Sequence, residues 1–97
     1  MRRGTWKPTD RVDGPLDRVF DGLRATFPEL WVERLRVTHA ADDDNVWYLG
    51  RQGSDLEIQI DSAPGGAPPF ILESETALET VDDVRTALER LSEWLRR

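Results

Sequence analysis

Three polar groupings in this 97-residue chain have the residue types for chemistry: His39 near Asp42, the run Asp42-Asp43-Asp44-Asn45, and the alternating Glu57, Gln59 and Asp61. His39, the only histidine, could act as a base oriented by an acid, but it needs a nucleophile beside it. Ser62 lies in Ile60-Asp61-Ser62-Ala63-Pro64, without the glycines of a nucleophile elbow. Cysteine is absent, so thiolate chemistry, thiolate metal sites and disulfides are excluded. The aspartate run offers oxygen ligands, yet it lacks the alternating ligand positions and the glycine of a calcium loop, and it reads as a solvated turn. Pro64-Gly65-Gly66 is followed by no Lys-Ser/Thr pair and opens no helix, so it is not a phosphate loop. Glu57 and Asp61 could pair as acid and base, but an open sheet face provides no burial to shift either group. No catalytic residue, no metal and no cofactor is expected, and the chain reads as non-enzymatic.

Composition narrows the remaining classes. The length allows one domain with a thin core, burying only about 60–65% of the unfolded chain's surface. Four tryptophans, Trp6, Trp31, Trp47 and Trp94, argue for a packed interior, with Trp47 and Trp94 expected in it. Net charge is −6, but residues 1–11 carry Arg2, Arg3, Lys7 and Arg11 against Asp10, which leaves −9 on the rest. Such a body repels nucleic acid and anionic lipid and attracts a basic protein. No apolar stretch has the length of a signal peptide core or a membrane span. A cytoplasmic location is expected, because small secreted domains usually rely on disulfides. Twelve arginines to one lysine fit a GC-rich bacterial genome.

The elements that must carry these residues follow from periodicity. Residues 1–14 read as an irregular arm, and residues 15–97 as a single α+β domain. Leu16, Val19, Phe20, Leu23 and Phe27 form one helical stripe, with Pro15 in the first turn, Asp13 as cap and Gly22 on the polar side. Pro28 ends that helix. Strands are predicted over 30–38, 46–49, 56–61 and 70–74. A second helix follows Thr80 as cap, with Val81, Val84, Leu88, Leu91 and Leu95 as its stripe. The expected architecture is a four-stranded antiparallel meander with both helices on one face, in the order α-β-β-β-β-α.

Register then decides what solvent meets. Pairing Gly50 with Asp55 sets Leu49 opposite Leu56 and Trp47 opposite Ile58, which collects the large apolar residues on one face. The other face shows Tyr48, Glu57, Gln59 and Asp61 together with Val46, joined by Arg34 and Arg36 from the first strand. Cross-strand pairs among them would keep the sheet soluble. The same helix-free face, with its tyrosine and arginines, also has the composition of an interface.

Tyr48, Glu57, Gln59, Asp61, Arg34 and Arg36 are therefore the expected partner-binding residues. In size, acidity and lack of a catalytic set, the chain resembles small bacterial partner-binding proteins such as toxin-neutralising immunity proteins. The function expected is a cytoplasmic protein-binding module, immunity-type or chaperone-like, for a basic protein. The alternative is a small-molecule binder or small enzyme with a pocket between helix and sheet. Homodimerisation through the sheet face, and a role for the Pro/Gly loop 62–69, are both left open.

Overall fold

Each regular element follows from a local signal that its flanks terminate. The computed structural model describes residues 11–35 and 45–96. Helix α1 runs Pro15–Thr26 with proline in its first turn, and its Leu16, Val19, Phe20 and Leu23 stripe is fully buried. Its N-cap is Gly14 rather than Asp13, which sits just outside the helix at φ 57°. Asp17 supplies acceptors from inside the first turn instead, taking the amides of Val12 at 3.2 Å and Asp13 at 3.0 Å. Gly14 is required there, since a β-carbon would stand 1.9 Å from the Gly65 carbonyl oxygen.

Five strands follow: β1 (Leu30–Arg34), β2 (Val46–Arg51), β3 (Ile58–Ala63), β4 (Ala67–Glu73) and β5 (Leu78–Val81). They form one antiparallel meander in chain order, and helix α2 (Val84–Leu95) closes the chain. The α+β class and the antiparallel sheet match expectation, but the sheet has a fifth strand. Thr80 and Val81, read as a helix cap and first turn, belong to β5 and pair with Ile71 and Phe70. The cap is Asp83, whose carboxylate accepts from the Thr86 amide at 2.7 Å. A strand of four residues followed by Asp82 and Asp83 has the same composition as a capped helix start, which is why the two are confused.

Two registers differ from the sequence reading. The β2–β3 hairpin pairs Leu49 with Ile58 and Trp47 with Ile60, two residues from the expected alignment. A two-residue slip preserves the faces, because side chains alternate with a period of two. In β1, Leu30 and Val32 are buried towards the helices, opposite the phase set by Leu35 and Val37. Arg34 therefore pairs with Trp47 on the helix side, its guanidinium carbon 5.0 Å from the Trp47 ring centre.

The core lies between the helix pair and one sheet face. Trp47, fully buried, meets Phe20 at a ring-centre distance of 6.3 Å, with Leu49, Ile58, Ile60, Phe70 and Leu72 around it. Helices α1 and α2 touch at Gly22, where a β-carbon would come 2.7 Å from Leu88 Cδ2, so this glycine faces its neighbour rather than solvent. Leu88 is only half-buried, whereas Leu91 and Ala87 are fully buried and Trp94 nearly so. Arg51 locks the end of the layer: it pairs with Glu29, donates to the Leu95 carbonyl at 3.3 Å and lies 5.1 Å over the Phe27 ring. No helix among the described residues is long and apolar enough to cross a membrane.

Two expectations follow. Leu91→Ala should destabilise by about 2–5 kcal/mol and Leu88→Ala by about 1–2 kcal/mol, measured by denaturant titration. Equal losses would show that the α2 face is misassigned. The Glu29 carboxyl is held below its ordinary value of 4.5, first by its own amide and then by Arg51. Asp83 is held below 3.8 by the Thr86 amide and hydroxyl. Both groups bind protons more tightly in the unfolded chain. Their stabilisation is present above the ordinary values and lost as pH falls through the depressed folded ones. Melting temperature should thus fall less steeply below about pH 4.5 in Glu29→Gln with Asp83→Asn than in wild type, a modest difference because water screens both groups.

Candidate functional site

The sheet face away from the helices is the site that the sequence points to. One row of side chains crosses it through all five strands: Glu33, Tyr48, Gln59, Glu73 and Leu78. The next row holds Val46, Asp61, Ile71 and Thr80. Tyr48 stands near the middle of this face, half-buried and fixed on β2 between β1 and β3.

A shallow cleft of ≈ 350 Å³ opens at the ring, lined by Tyr48, Gln59, Asp55, Glu57, Glu73 and Glu75. Asp55 and Glu57 reach it from the β2–β3 loop, and Glu75 from the β4–β5 turn. Asp55, Glu73 and Glu75 form no ion pair with any described residue. Beside the cleft, the Gln59 side-chain amide donates to the Asp61 carboxylate at 2.9 Å, so Gln59 holds one acid in place on the strand. Such an arrangement can accept hydrogen bonds from cations and stack an apolar stem on an aromatic ring. Among the described residues no group of three or more His, Cys, Asp and Glu is arranged to hold a metal ion.

The structure thus brings four of the six expected site residues together: Tyr48, Glu57, Gln59 and Asp61 share this face. Arg34 does not join them, because the β1 register turns it to the helix side over Trp47. Arg36, like His39 and Asp42–Asp44, lies outside the described residues. The Pro/Gly loop also has another place. Pro64–Gly66 forms a short 3-10 turn under the start of α1, and a β-carbon on Gly66 would come 2.4 Å from Val12 Cγ2. Sequence reasoning missed Asp55, which it used only to close the hairpin with Gly50, and it missed Glu73 and Glu75. Their signal was the Glu-Ser-Glu spacing astride a turn, which becomes readable only once β5 is recognised.

Trp31 is a further feature that the sequence did not place. It pairs with Gly50 on the open face, yet it is only 3% exposed. Its ring lies across Gly50, where a β-carbon would come 2.8 Å from Cζ2 and Nε1 of the indole and 2.6 Å from the Leu56 carbonyl oxygen. The loop between β2 and β3 folds back over this corner, using Gly53 at φ 84° and a Ser54 hydroxyl that accepts from the Leu56 amide. That fold-back carries Asp55 and Glu57 to the edge of the Tyr48 cleft.

Gly50→Ala should therefore expel the indole and release the loop. A red-shifted tryptophan emission and a loss of about 1–3 kcal/mol are expected. An unshifted spectrum with wild-type stability would mean that the loop does not depend on this packing. Comparison of the chain with protein-family models, with curated proteins and with solved structures returns no match.

Proposed function

We propose that this domain is a non-enzymatic protein-binding module of a bacterial cytoplasm, immunity-type or chaperone-like, that captures a basic protein on its open sheet face. The observation that carries this reading is Tyr48 beside Asp55, Glu73 and Glu75, three carboxylates without a described counter-ion. Like charges gathered around one ring repel each other, and an incoming lysine or arginine relieves that repulsion. Tyr48 supplies the anchor, because a tyrosine held on a strand gives large contact area at small entropy loss. Glu57 and Asp61 supply charge-assisted contacts, and Gln59 keeps Asp61 oriented. The body's net charge of −9 outside the basic first eleven residues adds long-range attraction for the same partner.

The test is a kinetic binding series against the basic partner recovered by cross-linking in the native host. Tyr48→Ala should weaken binding by about 1–3 kcal/mol, mostly through faster dissociation. Glu57→Gln with Asp61→Asn should mainly slow association, and the difference should fade as salt is raised. Glu57→Gln with Asp61→Asn should alter stability little, and Tyr48→Ala only modestly, since its ring is half-buried. Wild-type affinity in all these variants would sink the reading of this face as the interface.

A further inference from the structure

Only two large apolar side chains are exposed among the described residues, Ile71 at 39% and Leu78 at 69%. Both stand on the open face at its β4–β5 end. Strand β5 is an edge of the sheet, and its hydrogen-bond alternation fixes which backbone groups it leaves outside. The Ser74 amide donates to the Ala77 carbonyl at 2.9 Å, so these two form a bonded pair. By alternation Leu72–Glu79 and Phe70–Val81 are bonded as well, while Leu78 and Thr80 lie in the intervening positions. Leu78 and Thr80 accordingly aim their N–H and C=O groups away from β4, and no described residue bonds to them.

Edges are usually closed by proline, lysine or a bulge. Leu-Glu-Thr-Val has neither residue, and its pairing with β4 is regular. Between the two outward-facing residues, Glu79 points to the helix side. Its Oε2 atom is 2.9 Å from Arg90 Nε, yet it is buried and lacks an aligned hydrogen bond. A strand added beside β5 would bond to Leu78 and Thr80 and set one residue opposite Glu79 in the close, non-bonded position. There a lysine or arginine would share the carboxylate with Arg90, while apolar residues on either side would face Leu78 and Thr80. A second copy of this chain fits poorly. The symmetric pairing that satisfies all four outward groups sets Glu79 against its own counterpart, like charges at closest approach.

We propose that β5 is a docking edge that accepts an extended basic segment of a partner protein as a sixth, antiparallel strand, with alternating apolar and basic side chains. This rests on the reading of the domain as a binder of a basic protein, and it names the mode of capture. The probe is a capped hexapeptide alternating valine and arginine, with the valine–glutamate peptide as its control. Amide hydrogen exchange is followed residue by residue on the full chain.

At saturating valine–arginine peptide, exchange at Leu78 and Thr80 should slow by about tenfold or more, and the acidic peptide should have no effect. Thr80→Pro removes one outward N–H that β4 does not use, and it should abolish protection with little change in melting temperature. Leu78→Lys makes the same test without a backbone change, since it sets a charge where the peptide's valine needs an apolar contact. Unchanged exchange at Leu78 and Thr80, with shifts confined to Tyr48 and Gln59, would overturn strand addition and leave the sheet-face reading standing. Protection at Leu78 and Thr80, with partner affinity unaltered in Tyr48→Ala, would support the edge and remove the face. Equal protection by the acidic peptide, or protection that rises with protein concentration without peptide, would overturn the proposal, the latter in favour of self-pairing.

Discussion

Two helices of twelve residues can cover only one face of this sheet, and the rest of the structure depends on that limit. Each helix is about 18 Å long and about 10 Å across, so the pair covers a patch about 20 Å wide. Five strands spaced about 4.8 Å apart make a sheet of nearly the same width. The helix pair is thus fully occupied in burying Trp47, Leu49, Ile58, Ile60, Phe70 and Leu72. Gly22 brings α2 close enough for Leu88 to seat on α1, and Arg51 ties the ends of both helices to β2. Among the described residues no apolar layer remains for the second face, which must be compatible with water or with a partner.

That face meets the requirement in two ways. Across its middle and at Asp61 it carries carboxylates, an amide and one tyrosine, so solvent wets it. At the β1–β2 end it carries Trp31, which water would not tolerate openly, and the β2–β3 loop covers it. The two solutions are linked, because the loop that shields the indole also delivers Asp55 and Glu57 to Tyr48. A structural need at one corner therefore shapes the electrostatics at the centre.

How much of this was legible in the sequence depended on which signal each residue carried. The bounds and buried stripe of α1 were readable, since the stripe, Pro15 and Pro28 are local, although its cap is Gly14 and not Asp13. The faces of β2 and β3 were readable even though the register was displaced, because an even slip leaves every side chain on its own side. Four of the six site residues come together on that account. Arg34 falls on the other face because β1 is Leu30–Arg34, so Leu30 and Val32 set its phase and Leu35 and Val37 lie beyond its end. Strand β5 was missed because four residues are too few to show alternation, and Asp82 and Asp83 announced a helix directly after it. Gly22 could not be read at all. Its value lies in Leu88, 66 positions away, and no local pattern encodes that contact.

The two edges of the sheet also differ in how they are finished. On β1, the Leu30 amide bonds to the Phe27 carbonyl at 2.9 Å, and the Arg34 guanidinium lies over Trp47. A charged side chain there deters another strand from approaching on the helix side. On β5, the corresponding charge is Glu79, and it is already drawn to Arg90 on α2. Pairing Glu79 with Arg90 anchors the short strand to the helix layer, which four residues of ladder alone would hold weakly. It also turns the one charge that could guard this edge inwards, leaving Leu78 as the side chain that greets solvent. The ion pair that steadies β5 against α2 thus also occupies the only charged side chain of the strand.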